Sequence, residues 1–151
     1  MIRNAQVTDS SAIQEINRTQ LGYDCSLEQT TKNLQHILKD TNHHYLLVYE
    51  DEVSHQVEGY LHAEIFEETY FEPLLDVLAL AVASSTQGKG IGTKLMSRLE
   101  KLAQELGINE IRLSSGEERV AAHKFYEKMG YQCLKKQKRF VKKLSTKLKK
   151  S

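Results

Sequence analysis

The chain has 151 residues, 40% hydrophobic and 27% charged, with 21 basic and 20 acidic side chains and a net charge of +1. That length suits one domain with a core of its own, no run reaches the ~18 apolar residues of a membrane span, and the N-terminal Met1-Ile2-Arg3-Asn4-Ala5-Gln6 lacks the apolar centre of a signal peptide. Cys25 and Cys133 stand far apart, in no metal-ligand spacing, which suits structural, reduced thiols and a cytoplasmic location.

Ile2 to Ala5 reads as a short first strand. Asp9-Ser10-Ser11 caps a helix with Ala12, Ile13, Ile16 and Leu21 on one stripe. Ser26 with Gln29 three residues on is a capping-box signature, followed by Leu34, Ile37 and Leu38 on one helical face. Tyr45 to Tyr49 predicts a strand, Asp51 to Gln56 a polar hairpin turn, and Gly59 to Ile65 the returning strand. His43-His44 reads as loop without metal-ligand company. Tyr70 to Pro73 breaks the pattern before a central strand from Leu75 to Val82. Ile91, Leu95, Met96, Leu99, Leu102, Ala103 and Leu106 then recur at helical spacing until Gly107. Ile108 to Ser114 reads as another strand and Val120 to Met129 as a short helix ended by Gly130. Two last strands are expected near Tyr131-Gln132-Cys133 and from Arg139 to Leu144. The expectation is one domain over 1–151, α/β (α+β), with a mixed, mostly antiparallel sheet of six to seven strands and about four helices.

Charge is unevenly spread. Residues 135–151 hold eight Lys and one Arg without an acid, leaving twelve basic and all 20 acidic residues in 1–134. Apolar residues among those lysines, Phe140, Val141 and Leu144, favour a solvated edge strand over a nucleic-acid surface. The acidic body favours the approach of a cationic amine.

Gln87-Gly88-Lys89-Gly90-Ile91-Gly92 carries the clearest chemistry. It joins an apolar strand to a helix, and a glycine-rich turn at a helix N-terminus offers unpaired N–H groups and partial positive charge to a phosphate. The dinucleotide fingerprint would put its third glycine at Thr93, and the P-loop needs a Gly-Lys-Ser/Thr that is absent. Gln-x-x-Gly-x-Gly after a Leu-x-Val strand end resembles the pyrophosphate loop of the GNAT superfamily of acyl-CoA-dependent N-acetyltransferases. A second signature follows about 30 residues later: Ala122, Phe125-Tyr126, Gly130 and Tyr131 are similar in register to the GNAT element Asn-x-x-Ala-x-x-Phe-Tyr-x-x-x-Gly-Phe. Arg119 departs from the usual Asn; it pairs with a phosphate of coenzyme A or with an acid of its helix.

The resemblance implies acetyl transfer from acetyl-CoA to a primary amine, with no metal. Backbone around Leu80 and Val82 on a splayed strand would pair with the pantetheine, and Gln87, Gly88, Lys89, Gly90, Gly92 and Thr93 would surround the pyrophosphate. Tyr126, a phenol protonated at neutral pH, is the candidate acid for the departing thiolate. Asp76 is the candidate base: it falls six residues before Val82, where some members carry a catalytic Glu, and alternation puts it on the face of Leu78, Leu80 and Val82. Glu64 and His62 compete for that role, whereas His123 reads as packing or capping. The acceptor pocket would draw on Tyr23, Glu64 and Tyr70, a mixture of acid and aromatics suited to a small-molecule ammonium. Rival readings are a non-catalytic acyl-CoA-binding module and acetylation of a protein amine; a homodimer is compatible with the resemblance.

Overall fold

In the computed structural model, which describes residues 1–145, β1 (Ile2–Asn4), β2 (His44–Glu50), β3 (Val57–Glu68), β4 (Phe71–Val82) and β5 (Ile111–Leu113) form one sheet in that order. Neighbours from β1 to β4 are antiparallel, and β5 joins β4 in parallel. A parallel pair needs a crossover, supplied here by α3 (Ile91–Leu106). The other helices are α1 (Ser10–Ile16), α2 (Leu27–Ile37) and α4 (Val120–Lys128). Contacts divide the chain into two units, Met1–Ser114 and Ser115–Ser151, and α4 is the one regular element of the second among the described residues. No helix of the described residues is long and apolar enough to cross a membrane.

Both faces of the sheet are covered by helices. Cross-strand partners share a face, so the pairs Val48–Tyr60, Leu46–His62 and Tyr60–Ala81 place Val48, Leu46, Tyr60 and Ala81 together. These pack with Ile13, Ile16 and Leu34 of α1 and α2. The opposite face carries Leu61 and Leu75, fully buried like Leu95, Met96 and Leu99 of α3, whose 3.6-residue spacing makes a single apolar stripe. Gly59 sets how closely α3 can approach: a Cβ there would lie 3.0 Å from Ile91 Cγ2 and 3.2 Å from the Ala81 carbonyl oxygen.

Local chemistry accounts for the helix starts, in part differently from expectation. Ser26 Oγ accepts the Gln29 amide at 3.0 Å, as its capping signature requires, but the Gln29 side chain turns to Asn33 Oδ1 at 2.9 Å. Asp9 does not cap α1 with its side chain. Its carboxylate accepts the Gln6 amide at 2.7 Å and both terminal nitrogens of Arg3 at 2.9 and 3.0 Å, and Arg3 Nε continues to Glu50 at 2.7 Å. After Ile16 the first helix widens into one π-type turn, Asn17–Leu21, where Asn17 Oδ1 accepts the Tyr60 hydroxyl.

Three expectations need correction. The sheet has five strands among the described residues, because 131–133 and 139–144 join no ladder. Extended residues become a strand only by pairing, and here a lysine-dense stretch leaves Leu134, Phe140, Val141 and Leu144 each more than 70% exposed. The remainder of the basic tail, 146–151, lies outside the described residues. Second, β4 starts at Phe71, before Pro73, which is tolerated because the β3–β4 register is irregular there and β5 pairing begins only at Leu75. Third, Asp76 does not share a face with Leu80 and Val82. His62 pairs with Ala79 but Ala63 with Val77, so Leu78 is an unmatched residue on β4. This bulge reverses the alternation, placing Asp76 with Ala79 and Ala81 and sending Leu80 and Val82 to the α3 side.

Candidate active site

The donor side is built from β4 and the turn that follows it. β5 pairs with β4 only from Leu75 to Val77. From Leu78 to Val82, the β4 edge away from β3 therefore makes no ladder among the described residues. At ~3.3 Å per residue this open edge is about 13 Å long, and its backbone groups can receive an extended ligand as a further strand. Leu78, at the bulge, is 47% exposed.

The chain then tightens. A 3-10 turn, Ser84–Thr86, is held by the buried Thr86 hydroxyl donating to the Ala83 carbonyl at 3.0 Å. Gln87 Nε2 reaches back to the Val82 carbonyl at 3.3 Å and to Gln20 Oε1 at 2.7 Å. Gly88 and Gly90 adopt φ of 85° and 79°, a left-handed conformation that favours glycine. Gly90 begins α3 without a side-chain cap, and no acid stands in the first turn. The intrahelical ladder opens with the Lys94 amide on the Gly90 carbonyl at 3.0 Å, leaving the amides of Ile91, Gly92 and Thr93 without an intrahelical acceptor. Uncapped amides, positive dipole end, exposed Lys89 and missing carboxylate together fit a diphosphate.

A polar strip occupies the other face, past the residues that α1 and α2 cover. Glu64 pairs directly across the ladder with both His44 and Asp76. Asp76 Oδ1 accepts from Arg112 Nε at 3.2 Å, and the Arg112 guanidinium lies over the Phe66 ring, 4.2 Å from its centre. Glu64 Oε1 lies 3.0 Å from His43 Nε2, and His44 Nδ1 3.0 Å from His62 Nε2. Burial, reinforced by His44 and His43, pushes the His62 imidazole down to about 4, so it is neutral at physiological pH. Burial and His43 also lower His44, against the opposing pull of Glu64 and Asp40. His43 and His44 thus do have ligand-type company, contrary to the sequence expectation, and His44 opens β2 instead of lying in a loop. Of the acceptor candidates only Glu64 lies in this strip. Tyr23 follows α1 and Tyr70 tips the β3–β4 hairpin, and they are 64% and 76% exposed.

The second unit holds the remaining candidates. α4 ends at Gly130, with φ of 97°, and the Tyr131 amide returns to the Tyr126 carbonyl at 3.0 Å. Tyr126 sits edge-on to Phe125 and to Tyr131, at 5.2 and 6.1 Å between ring centres. Burial raises its phenol, with Arg119 opposing, and the net direction is upward, so the proton is retained at neutral pH. His123 Nε2–H donates to the Gly116 carbonyl at 2.8 Å, ahead of α4, whose start has no side-chain cap. Arg119 makes no ion pair among the described residues.

A family model for the GNAT acetyltransferases matches residues 10–131, across both units. This chain belongs to the GNAT family. An uncharacterised N-acetyltransferase of Chlorobaculum tepidum is 29% identical over 139 residues, covering 90% of this chain and 77% of that one. Among solved structures, a transcriptional regulator from Bacillus halodurans superposes with a TM-score of 0.84 at 21% identity, covering 93% of this chain and 98% of that one. The aminoglycoside antibiotic 6'-N-acetyltransferase AAC(6')-IG of Acinetobacter haemolyticus gives 0.81 at 19% identity, with 96% and 99% covered. These likenesses bear on fold, a GNAT-like α/β domain with four α-helices and a mixed five-stranded sheet among the described residues. The family makes the protein an acetyl-CoA-dependent N-acetyltransferase.

The glycine turn is where the GNAT loop motif required it. The pairing of Glu64 with His43 and the alignment of Arg112 with Asp76 were missed. Hairpin symmetry held the first: reflecting His44 through the middle of the Asp51–Gln56 turn lands within one residue of its partner Glu64. Arg112 had no such signal, because a parallel pair across a helical crossover has no turn to reflect through.

Proposed function

We propose that this GNAT enzyme acetylates the primary amine of a small molecule. The observation that carries the reading is the β4 edge left open from Leu78 to Val82, running into the Gly88–Gly90 turn and the uncapped start of α3. Acetyl-CoA supplies an activated acetyl group as a thioester. Backbone of Leu80 and Val82 aligns its pantetheine arm along the open edge. Gln87, Gly88, Lys89, Gly90, Gly92 and Thr93 hold the diphosphate, and Arg119 pairs with a phosphate.

The acceptor arrives on the polar strip. Glu64 and Asp76, opposite one another on β3 and β4, attract an ammonium, and Tyr23 and Tyr70 offer aromatic surface for its body. An ammonium has no lone pair, so a proton must leave it; Asp76 takes that proton, directly or through a water. Asp76 stands one residue before the last β4–β5 pair, beside the point where the edge opens. Its contact with Arg112 orients the carboxylate. Tyr126, whose phenol burial keeps protonated, donates to the departing thiolate.

The small-molecule preference rests on the acidic strip together with the aminoglycoside enzyme that shares the fold. Thiol release from acetyl-CoA over a panel of primary amines, small and peptidic, tests it. Tyr126→Phe should lower kcat by ~10²–10⁴-fold, the usual span for general acid–base groups, with KM for acetyl-CoA little changed. Equal thiol release by both proteins would remove Tyr126 from the mechanism. Binding of CoA with no release on any amine would leave a binding module.

A further inference from the structure

The polar strip supports a second property, which draws on the same Glu64 that the proposed function gives to the ammonium. We infer that His43, His44 and Glu64 form a binding site for a divalent d-block cation of the zinc class. One ligand atom from each lies within 4.8 Å of the others, and all three residues are half-buried. His43 Nε2 and Glu64 Oε1, at 3.0 Å, already stand near the spacing of two ligands on one tetrahedral ion, about 3.3 Å for bonds of ~2.0–2.1 Å. The third ligand must close by only an ångström or two.

Backbone holds the donors in place. The His43 carbonyl accepts the Ile65 amide at 2.9 Å, and the His43 and His44 amides both donate to the Asp40 carbonyl, at 3.2 and 2.9 Å. Glu64 is the ladder partner of His44, so the residue that supplies the carboxylate is registered against the histidines by the sheet itself. A site mounted on strands keeps its geometry better than one on a loop.

The outer layer matches as well. His44 Nδ1 and His62 Nε2 lie 3.0 Å apart, within hydrogen-bond distance. A hydrogen bond donated from His44 Nδ1 to His62 would leave the His44 lone pair on Nε2, the usual way a ligating histidine is oriented by its second nitrogen. Asp40 acts electrostatically on His44 and adds a carboxylate near a dication, whereas Asp76, which faces Glu64, is paired with Arg112. Two imidazoles and one carboxylate suit zinc, cobalt or nickel over magnesium or calcium. With 40% of the His43 side chain and 24% of the Glu64 side chain exposed, a water can complete the coordination.

The test uses the full chain, stripped with chelator, in a Cys25→Ser, Cys133→Ser background that removes both thiols. Zinc chloride is titrated calorimetrically in a non-coordinating buffer, and zinc-soaked crystals are measured across the zinc absorption edge. One saturable zinc per chain is expected, with the anomalous peak between His43, His44 and Glu64. Glu64→Gln and His44→Ala should abolish that binding, while His62→Phe, which removes the outer acceptor and spares the ligands, should weaken it by about 10- to 100-fold. Metal-free melting curves matching the parent show that the variants fold. Unchanged zinc affinity in folded Glu64→Gln, or an anomalous peak elsewhere, would overturn the assignment.

Discussion

Gly59→Ala tests how the sheet sets the position of the diphosphate cradle. The new methyl would meet Ile91 Cγ2 at 3.0 Å, the Ala81 carbonyl at 3.2 Å and Val82 Cγ2 at 3.4 Å. Ile91 is the first residue of α3 and is 3% exposed, so it has no solvent into which to swing. The Ala81 carbonyl belongs to the end of β4. Overpacking of this kind costs ~1–3 kcal/mol, and the entropy gained by replacing glycine returns ~0.5–1. Taking the middle of each range, the net loss is about 1 kcal/mol, or a Tm lower by roughly 2–4 °C for a chain of this size. The displaced parts are the start of α3 and the open β4 edge, so KM for acetyl-CoA should rise more than kcat falls. Thermal denaturation and steady-state kinetics at varied acetyl-CoA read both effects. In a double-mutant cycle, Ile91→Ala removes the struck methyl, so its own cost should shrink when Ala occupies position 59. A Gly59→Ala protein as stable as the parent, with unmoved KM, would refute the reasoning.

Gly90→Ala forces a side chain into the left-handed region at a cost of ~1–2 kcal/mol; it should weaken CoA binding measured calorimetrically while leaving the secondary structure seen by circular dichroism intact. Ser26→Ala removes the cap of α2 and should cost about 1 kcal/mol in urea unfolding. Burial raises the Asp9 carboxyl, but hydrogen bonds from Arg3 and the Gln6 amide outweigh it, so its folded pKa is depressed. Its contribution is then complete above the ordinary carboxylate range and fades as pH falls through the lowered folded value. Asp9→Asn should accordingly lose about 2–3 kcal/mol at pH 7, the scale of charge-assisted bonds, and the gap from the parent should close in strongly acidic urea titrations.

Features governed by neighbours in the chain were readable in advance. The α3 stripe, the Ser26 cap and the glycine turn each depend on residues a few positions apart, and each forms where those residues stand. The bulge at Leu78 was not readable, since it arises from how β3 and β4 settle against each other and no residue type marks it. The same holds for Asp76, whose face follows from that bulge. Phe140, Val141 and Leu144 suggested a strand by composition, but a ladder needs a partner that composition does not name. His43 and His44 looked idle because Glu64 and His62, 21 and 18 residues away, meet them only through sheet register. Tyr126 stands out by motif and is protonated at neutral pH as any ordinary phenol is; the burial that raises it further comes from packing, which a motif does not report.

The unmatched Leu78 changes which side chains of a single strand meet each face of the sheet. Before it Leu74 and Asp76 share the face of Ala79 and Ala81, and Leu75 and Val77 join Leu80 and Val82 on the α3 side. On the proposed reading, substitution of Asp76 acts on the acceptor side, and changes at Leu80 or Val82, like changes at Leu75 and Val77, act on the layer beneath α3. One unmatched residue thus lets neighbouring stretches of the same strand turn opposite parities of side chain toward α3.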